Sequence, residues 1–206
     1  MLGDITKEIA QVLGKRVRVL TTDQIARHFY TAMKDPKECA NRAARTLVRE
    51  GFAVSSRASV RHLRMEMPLA TWAPNNSESP AFKSIAWANK KRWEASATKR
   101  STCLYATAKG AAQCGSKRRV PRTLELEHDI AVAEVYLTLT RNSPLIARTW
   151  ILEDDQPIAG PGDKRADAVV TTTTGAVQIE LVGSSYSRKK LENLWTHFRH
   201  QHVEFW

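Results

Sequence analysis

Basic and amide side chains recur at helical spacing between residues 37 and 49. Arginine can donate two hydrogen bonds to one guanine, and asparagine can do the same with adenine, so this row suits the major groove of DNA. The opposite side of the segment is a narrow stripe of alanines with Leu47 and Val48, which can pack closely on neighbouring helices. The exposed face predicted to contact DNA consists of Lys37, Asn41, Arg42, Arg45 and Arg49. The alternative is a solvated arginine-rich face that has no ligand.

Positive charge is concentrated in the first three-fifths of the chain. The formal net charge is +11, with +6 in residues 1–73, +9 in residues 74–124 and −4 in residues 125–206. This asymmetry favours a polyanion as the partner of the basic part, although a solvated basic surface remains an alternative. We expect Asn41, Arg42 and Arg45 to face base edges. The side chains expected to contact phosphates are Lys37, Arg49, Arg57, Arg61, Lys117, Arg118 and Arg119.

Composition restricts the class of protein. The chain has 206 residues, of which 42% are hydrophobic and 26% are charged, as in folded domains. It has no apolar run long enough to span a membrane and no signal-peptide core near its first residue. Its three cysteines form no CxxC pair, so we expect neither a disulfide scaffold nor a zinc ribbon. These features predict a cytoplasmic protein without a membrane partner.

The acidic C-terminal part contains one pair of residues that could be catalytic. Asp167 and Glu180 are separated by twelve residues and lie near two predicted strands of one hairpin, so their carboxylates could face one another. They could equally be solvent-facing strand residues. Two weaker candidates remain. His197, His200, His202 and Glu204 form either a metal site or an exposed helix end. His128 beside Asp129 is either a general base or, as we expect, part of a polar pair at a helix start.

The elements that position the basic residues follow a recognisable order. Helices are predicted at residues 4–14, from Thr21 onward, and from the N-cap Asp35 to the stop at Gly51. Residues 52–54 and 63–72 then read as two strands of one hairpin, with a basic tip at 55–61. This order over about residues 1–73 resembles a winged helix-turn-helix domain.

A basic connector is predicted over residues 74–122. Within it, residues 82–100 are predicted to form an amphipathic helix that docks on one of the domains. Its interleaved aromatic and cationic residues could alternatively stack on exposed bases. Residues 123–206 then predict helix, strand, hairpin, helix and strand, which is an α/β order.

The later motifs extend the resemblance. The twelve-residue spacing of the two acids on strands resembles the PD-(D/E)XK, or restriction-endonuclease-like, fold. The winged helix together with HDIAVAEVYLTL, RADAVV and IELVGSSYSRKKLENL resembles the replication-relaxation family of plasmids and other mobile elements. In the nuclease fold this likeness implies that Asp167 and Glu180 hold Mg²⁺, that a helical Glu134 completes the site, and that a lysine orients the attacking water.

The chain departs from the nuclease pattern at two positions. Val182 stands where the lysine belongs, and Ala166 stands where the proline belongs, which leaves Lys190 as a displaced cation. We therefore expect an N-terminal winged helix (1–73) that binds double-stranded DNA, followed by a small α/β domain (123–206) that is not a nuclease and serves homodimerisation or regulation. The rival is a Mg²⁺-dependent DNA endonuclease, and a third hypothesis makes the winged helix a protein-interaction module.

Overall fold

The chain is of mixed α+β class. The computed structural model describes residues 2–76, 78–117, 123–157, 160 and 164–206. In chain order the elements are α1 (Asp4–Lys15), β1 (Leu20–Thr21), α2 (Thr22–Phe29), α3 (Pro36–Arg49), β2 (Ala53–Arg61), β3 (Ala70–Trp72), α4 (Phe82–Glu94), β4 (Thr98–Ala106), α5 (Ala108–Gln113), α6 (Leu126–Asn142), α7 (Pro144–Arg148), β5 (Ile151–Leu152), β6 (Ala168–Thr172), β7 (Gly175–Glu180), α8 (Arg188–Phe198) and β8 (His202–Phe205).

Local side-chain chemistry sets the ends of α2 and α3. The Thr21 hydroxyl accepts a hydrogen bond from the Gln24 backbone amide at 3.1 Å, while the Gln24 side chain accepts from the Thr21 amide at 3.0 Å. This reciprocal capping box satisfies two backbone donors at the start of α2. At α3, Asp35 is the N-cap, Pro36 occupies the first turn, and Gly51 follows the last turn with φ of +75°. The predicted limits of α3 are therefore confirmed.

The first compact unit comprises Met1–His62 and Thr98–Leu137. Its antiparallel sheet has the order β1-β4-β2, and β2 pairs with β4 along nine residues, from Ala53 opposite Ala106 to Arg61 opposite Thr98. The helix α5 then packs close to the start of β2. A Cβ atom added at Gly110 would lie only 2.0 Å from the Phe52 carbonyl oxygen. Only glycine permits this approach.

The predicted partner of β2 is wrong. Residues 63–72 do not form the second strand of its hairpin, and β4, which begins 37 residues after β2 ends, takes that place. Only Ala70–Trp72 of the predicted strand is extended, as β3, and it pairs with β8. The reason is packing: the Trp72 ring meets Trp195 edge-on at 5.2 Å, and its indole N–H donates to the Arg199 carbonyl.

The second compact unit comprises Leu63–Ala97 and Thr138–Trp206. Its sheet has the order β3-β8-β7-β6-β5, in which β7 and β8 are parallel and the other neighbours are antiparallel. The connection between the two parallel strands is α8. One face of the unit's core is built from α4, α8 and the strands, with the buried residues Trp72, Phe82, Ile85, Leu191, Leu194, Phe198, Val203 and Phe205.

These units differ from the domains expected from the sequence. The boundaries at residues 73 and 122 assumed that the chain completes each domain before it starts the next. The structure instead inserts residues 63–97 between two paired strands of the first unit, and α6 continues from the first unit into the second. The segment expected to be a connector supplies α4 to one unit and β4 to the other.

Candidate nucleic-acid interface

The helix α3 separates a buried face from a cationic face, as its sequence pattern predicts. Val48, predicted on the buried face, is instead exposed. Ala40, Ala43, Ala44 and Leu47 are buried in the first unit. The small side chains of this face let α3 pack closely against its neighbours, and the polar side chains of the opposite face stay exposed to solvent. The exposed side carries every residue predicted for it: Lys37, Asn41, Arg42, Arg45 and Arg49.

A groove of about 490 Å³ lies between α3 and the sheet formed by β2 and β4. Three residues predicted on the helix face, Asn41, Arg45 and Arg49, line one wall. Arg57 of β2 and Thr102 of β4 line the other wall. The structure therefore brings helix and strand residues of the predicted set to one concave surface.

Two carboxylates lie beside the arginines of this surface. Arg45 Nη2 donates to Glu38 Oε1 at 2.8 Å, and Arg49 Nε donates to Glu50 Oε1 at 3.3 Å. Both pairs are exposed to solvent, where such pairs contribute only about 0–1 kcal/mol. A phosphate group can therefore replace either carboxylate as the partner of its arginine at little cost in free energy.

The true pairing of β2 adds a cation that the sequence interpretation missed. Arg57 lies opposite Thr102, and Ser59 lies opposite Arg100. Arg57 and Arg100 are thus diagonal neighbours on one face of the antiparallel pair, and both are exposed. The sequence pattern places Arg100 in the connector helix, whereas α4 ends at Glu94.

Arg61 is engaged within the first unit. Its backbone amide donates to Glu127 Oε1 at 2.8 Å, and its Nη1 donates to Glu127 Oε2 at 3.1 Å. This pairing competes with the phosphate contact predicted for Arg61. Of the remaining predicted cations, Lys117 is exposed, and Arg118 and Arg119 lie outside the described residues.

The two acids of the second unit lie at neighbouring strand ends. Asp167 directly precedes β6, and Glu180 is the last residue of β7. One step beyond the pairing of Ala168 with Ile179, the register brings the two acids opposite one another. Both side chains are buried, and Asp167 Oδ2 accepts a hydrogen bond from the Leu181 amide at 2.8 Å.

The ammonium group beside this pair comes from Lys164. Its Nζ donates to Glu180 Oε1 and also lies 5.7 Å from the centroid of the Phe198 ring. Lys164 stands three residues before the first acid, in a Gly/Pro-rich segment, whereas the sequence pattern favoured a cation after the second acid. Lys190, the cation proposed there, places its ammonium 3.9 Å from the centroid of the Tyr186 ring instead.

Glu134, the expected third acid, belongs to the first unit and is bound there. Arg27 donates to both carboxylate oxygens, at 2.6 and 2.9 Å, and Gln24 Nε2 lies 3.1 Å from Oε2. Burial raises the pKa of Glu134, but hydrogen bonds from His28 and Arg27 and the charge of Arg27 outweigh it, so the pKa falls from 4.5 to about 2. The role predicted for Glu134 beside Asp167 and Glu180 is not supported by these contacts.

Two carboxylates are enough to hold a magnesium ion whose remaining positions are filled by water or substrate phosphate. Magnesium ions favour several oxygen ligands in near-octahedral geometry. In the described part of the chain, no group of three or more histidine, cysteine, aspartate or glutamate side chains could hold a metal ion. Lys164 already supplies Glu180 with the positive charge that a cation would bring.

The same observation bears on the weaker histidine candidates. His197, His200 and His202 form no such metal-binding group with Glu204 within the described residues. Arg199 Nε lies 3.1 Å from His200 Nε2, and the Glu204 carboxylate accepts a hydrogen bond from the Trp206 indole at 2.8 Å. Burial raises the pKa of Glu204, which this hydrogen bond partly offsets.

No helix of the described residues is both long enough and apolar enough to cross a membrane.

Comparison with known proteins assigns the chain to no family. No protein-family model matches the chain, and no curated protein or solved structure matches it either.

Proposed function

We propose that this chain is a sequence-preferring double-stranded DNA-binding protein that reads its target with α3. The observation that carries the proposal is the concave surface on which Asn41, Arg45 and Arg49 of the helix face Arg57 of the sheet. Arginine and asparagine are the side chains that read guanine and adenine bidentately, and the flanking cations suit phosphates. The net charge of +11 supports a polyanionic partner.

The proposed arrangement is that of a winged helix, with α3 as the recognition helix and β2 and β4 as the wing. Asn41, Arg42 and Arg45 contact base edges, and Lys37, Arg49, Arg57 and Arg100 contact phosphates. Arg100 replaces Arg61, because Arg61 is held by Glu127. The resemblance to the replication-relaxation family makes the control of transcription or replication on a mobile element the proposed role.

The proposed role of the second unit is homodimerisation or regulation, with no hydrolysis at Asp167 and Glu180. The strand pairs β5–β6 and β6–β7 are antiparallel, and α8 then connects β7 to the parallel strand β8. This order supports a relationship to the restriction-endonuclease-like fold. The salt bridge between Lys164 and Glu180 supports a structural role for Glu180 rather than a metal-binding one. Sedimentation velocity of the protein at micromolar concentration tests the dimer.

The test of DNA binding begins with selection of a target from a random duplex library, followed by fluorescence polarisation over a range of salt. The four phosphate contacts of Lys37, Arg49, Arg57 and Arg100 predict a log–log slope of roughly −4. Arg57→Gln should weaken all duplexes alike and reduce the slope by about one, whereas Arg45→Gln should reduce discrimination between target and scrambled duplex. Arg188→Gln, which removes an exposed arginine of the second unit, is the matched control. A salt-independent affinity would refute the proposal.

The endonuclease remains the second candidate, favoured by one observation: Lys164 donates to Glu180, and the strand register places Glu180 opposite Asp167. Incubation of supercoiled plasmid with the protein and Mg²⁺ or Mn²⁺ separates the two hypotheses. We expect no nicking above that of the Asp167→Ala and Glu180→Ala variants. Nicking that both variants abolish would establish the enzyme instead.

A further inference from the structure

We propose that the outer face of α4 is a binding site for single-stranded nucleic acid, on which an unpaired base stacks against Trp87. Lysines at both ends of this face contact the flanking phosphates. The site lies wholly within the second unit and is separate from the duplex-binding surface of α3. Its existence does not depend on the proposed function.

The first observation is that Trp87 is left outside the core although its helix is firmly anchored. Phe82, Ile85 and Trp93 bury the inner face of α4, and the Trp93 indole donates to the Val182 carbonyl at 3.2 Å. Asn89 is also buried and donates to the Gly183 carbonyl at 2.9 Å. Packing of the helix therefore does not require Trp87.

The exposure of Trp87 distinguishes it from four other tryptophans of the unit. Its side chain is 64% exposed, whereas Trp72, Trp93, Trp150 and Trp206 are each at most 6% exposed. An aromatic ring of this size gains more from burial than almost any other side chain, so leaving it in water forgoes stability. A ligand that covers the ring would recover that free energy.

The second observation is the charge around the ring. Lys83 lies one helical turn before Trp87, and Lys90 and Lys91 lie one turn after it, so all share its face. All three lysines are exposed. Glu94 lies 3.7 Å from both Lys90 and Lys91 at the far end of the helix, which leaves the face with a net positive charge.

A flat aromatic ring between cations matches single-stranded nucleic acid better than other anionic partners. Bases of a duplex are stacked on each other, so their faces are not available to an indole, whereas those of a single strand are. A membrane-surface helix needs an outward apolar face, and Trp87 is the sole large hydrophobic residue exposed on α4 among the described residues. An acidic polypeptide satisfies the lysines but not the ring face.

The test uses fluorescence anisotropy with a labelled oligo-dT of about 20 nucleotides. Loss of one stacked base predicts that Trp87→Ala binds about 5- to 150-fold more weakly, and that Trp87→Phe retains part of the affinity. The triple substitution of Lys83, Lys90 and Lys91 by Gln should reduce the log–log salt slope by about 0.7 for each phosphate that is no longer neutralised. Circular dichroism establishes that each variant is folded.

The controls separate this site from general charge and from α3. Leu145→Ala removes another side chain of the same unit that is 73% exposed, and should leave oligo-dT affinity unchanged. Trp87→Ala should leave affinity for the selected duplex unchanged, and Arg45→Gln should leave oligo-dT affinity unchanged.

Several results would overturn the proposal. These are equal oligo-dT affinity of Trp87→Ala and the unsubstituted protein, no oligo-dT binding at low salt, and equal loss of duplex and oligo-dT binding in Trp87→Ala. Competition by polyglutamate as effective as that by unlabelled oligo-dT would assign the face to an acidic polypeptide instead. Failure of duplex binding with oligo-dT binding intact would refute the α3 proposal alone.

Discussion

Replacement of Glu134 by Gln tests the electrostatic core of the first unit. Its carboxylate accepts two hydrogen bonds from Arg27 and is 3% exposed, so the substitution leaves a partly buried guanidinium without its counter-charge. The pKa of Glu134 falls from 4.5 to about 2. Since one pKa unit corresponds to about 1.4 kcal/mol, ionised Glu134 contributes about 3 kcal/mol to the stability of this unit.

The sign of the pH dependence follows from the lowered pKa. The contribution is fully present above the ordinary pKa of 4.5 and is lost as the pH falls towards 2. We expect Glu134→Gln to be less stable than the unsubstituted protein by about 3 kcal/mol at pH 6, and the difference to shrink steadily below pH 4.5. His62, whose pKa is lowered mainly by burial, destabilises both proteins below its ordinary pKa of 6.5. The Glu134 charge raises this pKa, so the variant loses somewhat more stability through His62 as the pH falls.

The assay must report on the first unit. All six tryptophans lie in the second unit, so intrinsic tryptophan fluorescence reports on the second unit. Hydrogen–deuterium exchange of peptides from α2 and α6, measured by mass spectrometry between pH 3 and 7 with correction for intrinsic rates, gives the required local stability. Glu8→Gln, at an exposed position on α1, is the control. Parallel pH profiles for Glu134→Gln and the unsubstituted protein would refute the reasoning.

Two further substitutions test packing in the two units. Gly110→Ala places a Cβ atom 2.0 Å from the Phe52 carbonyl oxygen, so we expect a loss of about 2 kcal/mol or more in exchange protection of the first unit. Gly3→Ala, with no atom within 4 Å of the new Cβ, should cost less than about 1 kcal/mol, which is the preference of the α1 N-cap for glycine over alanine. Lys164→Met removes the ammonium group that binds the buried Glu180 carboxylate. We expect it to lower the urea midpoint of the second unit, followed by tryptophan fluorescence, which corresponds to a loss of about 1–3 kcal/mol in the free energy of unfolding. The double variant Lys164→Met/Glu180→Gln should recover part of that loss. An unchanged exchange rate or midpoint would contradict the corresponding prediction.

Local patterns predicted the elements well where the deciding contacts are a few residues apart. The cap at Asp35, the stop at Gly51 and the small-residue face of α3 act within one or two helical turns. The hairpin of β6 and β7 is likewise local, since its strands are joined by a short turn at Thr172–Gly175. Such contacts are encoded in adjacent residues, and a single sequence is enough to find them.

The partner of β2 could not be found in this way. Residues 63–72 carry the hydrophobic character of a strand and follow β2 at hairpin distance, so local criteria favour them over β4. The outcome depends on whether Trp72 packs against Trp195, which is 123 positions further along the chain. Which strand pairs with β2 therefore depends on which hydrophobic core buries residues 63–72, and that core is formed by residues distant in the sequence.

The sequence by itself determined the cationic face of α3, the charge asymmetry and the two acids at the ends of neighbouring strands, because each follows from residue type and short spacing. Tertiary structure alone decided the partners of the charged groups. Arg27 holds Glu134 across 107 positions, Arg61 holds Glu127 across 66, and Lys164 reaches Glu180 across two strands. A buried charge takes whichever opposite charge the fold brings within hydrogen-bonding distance, and that distance is set by the packing of the whole unit.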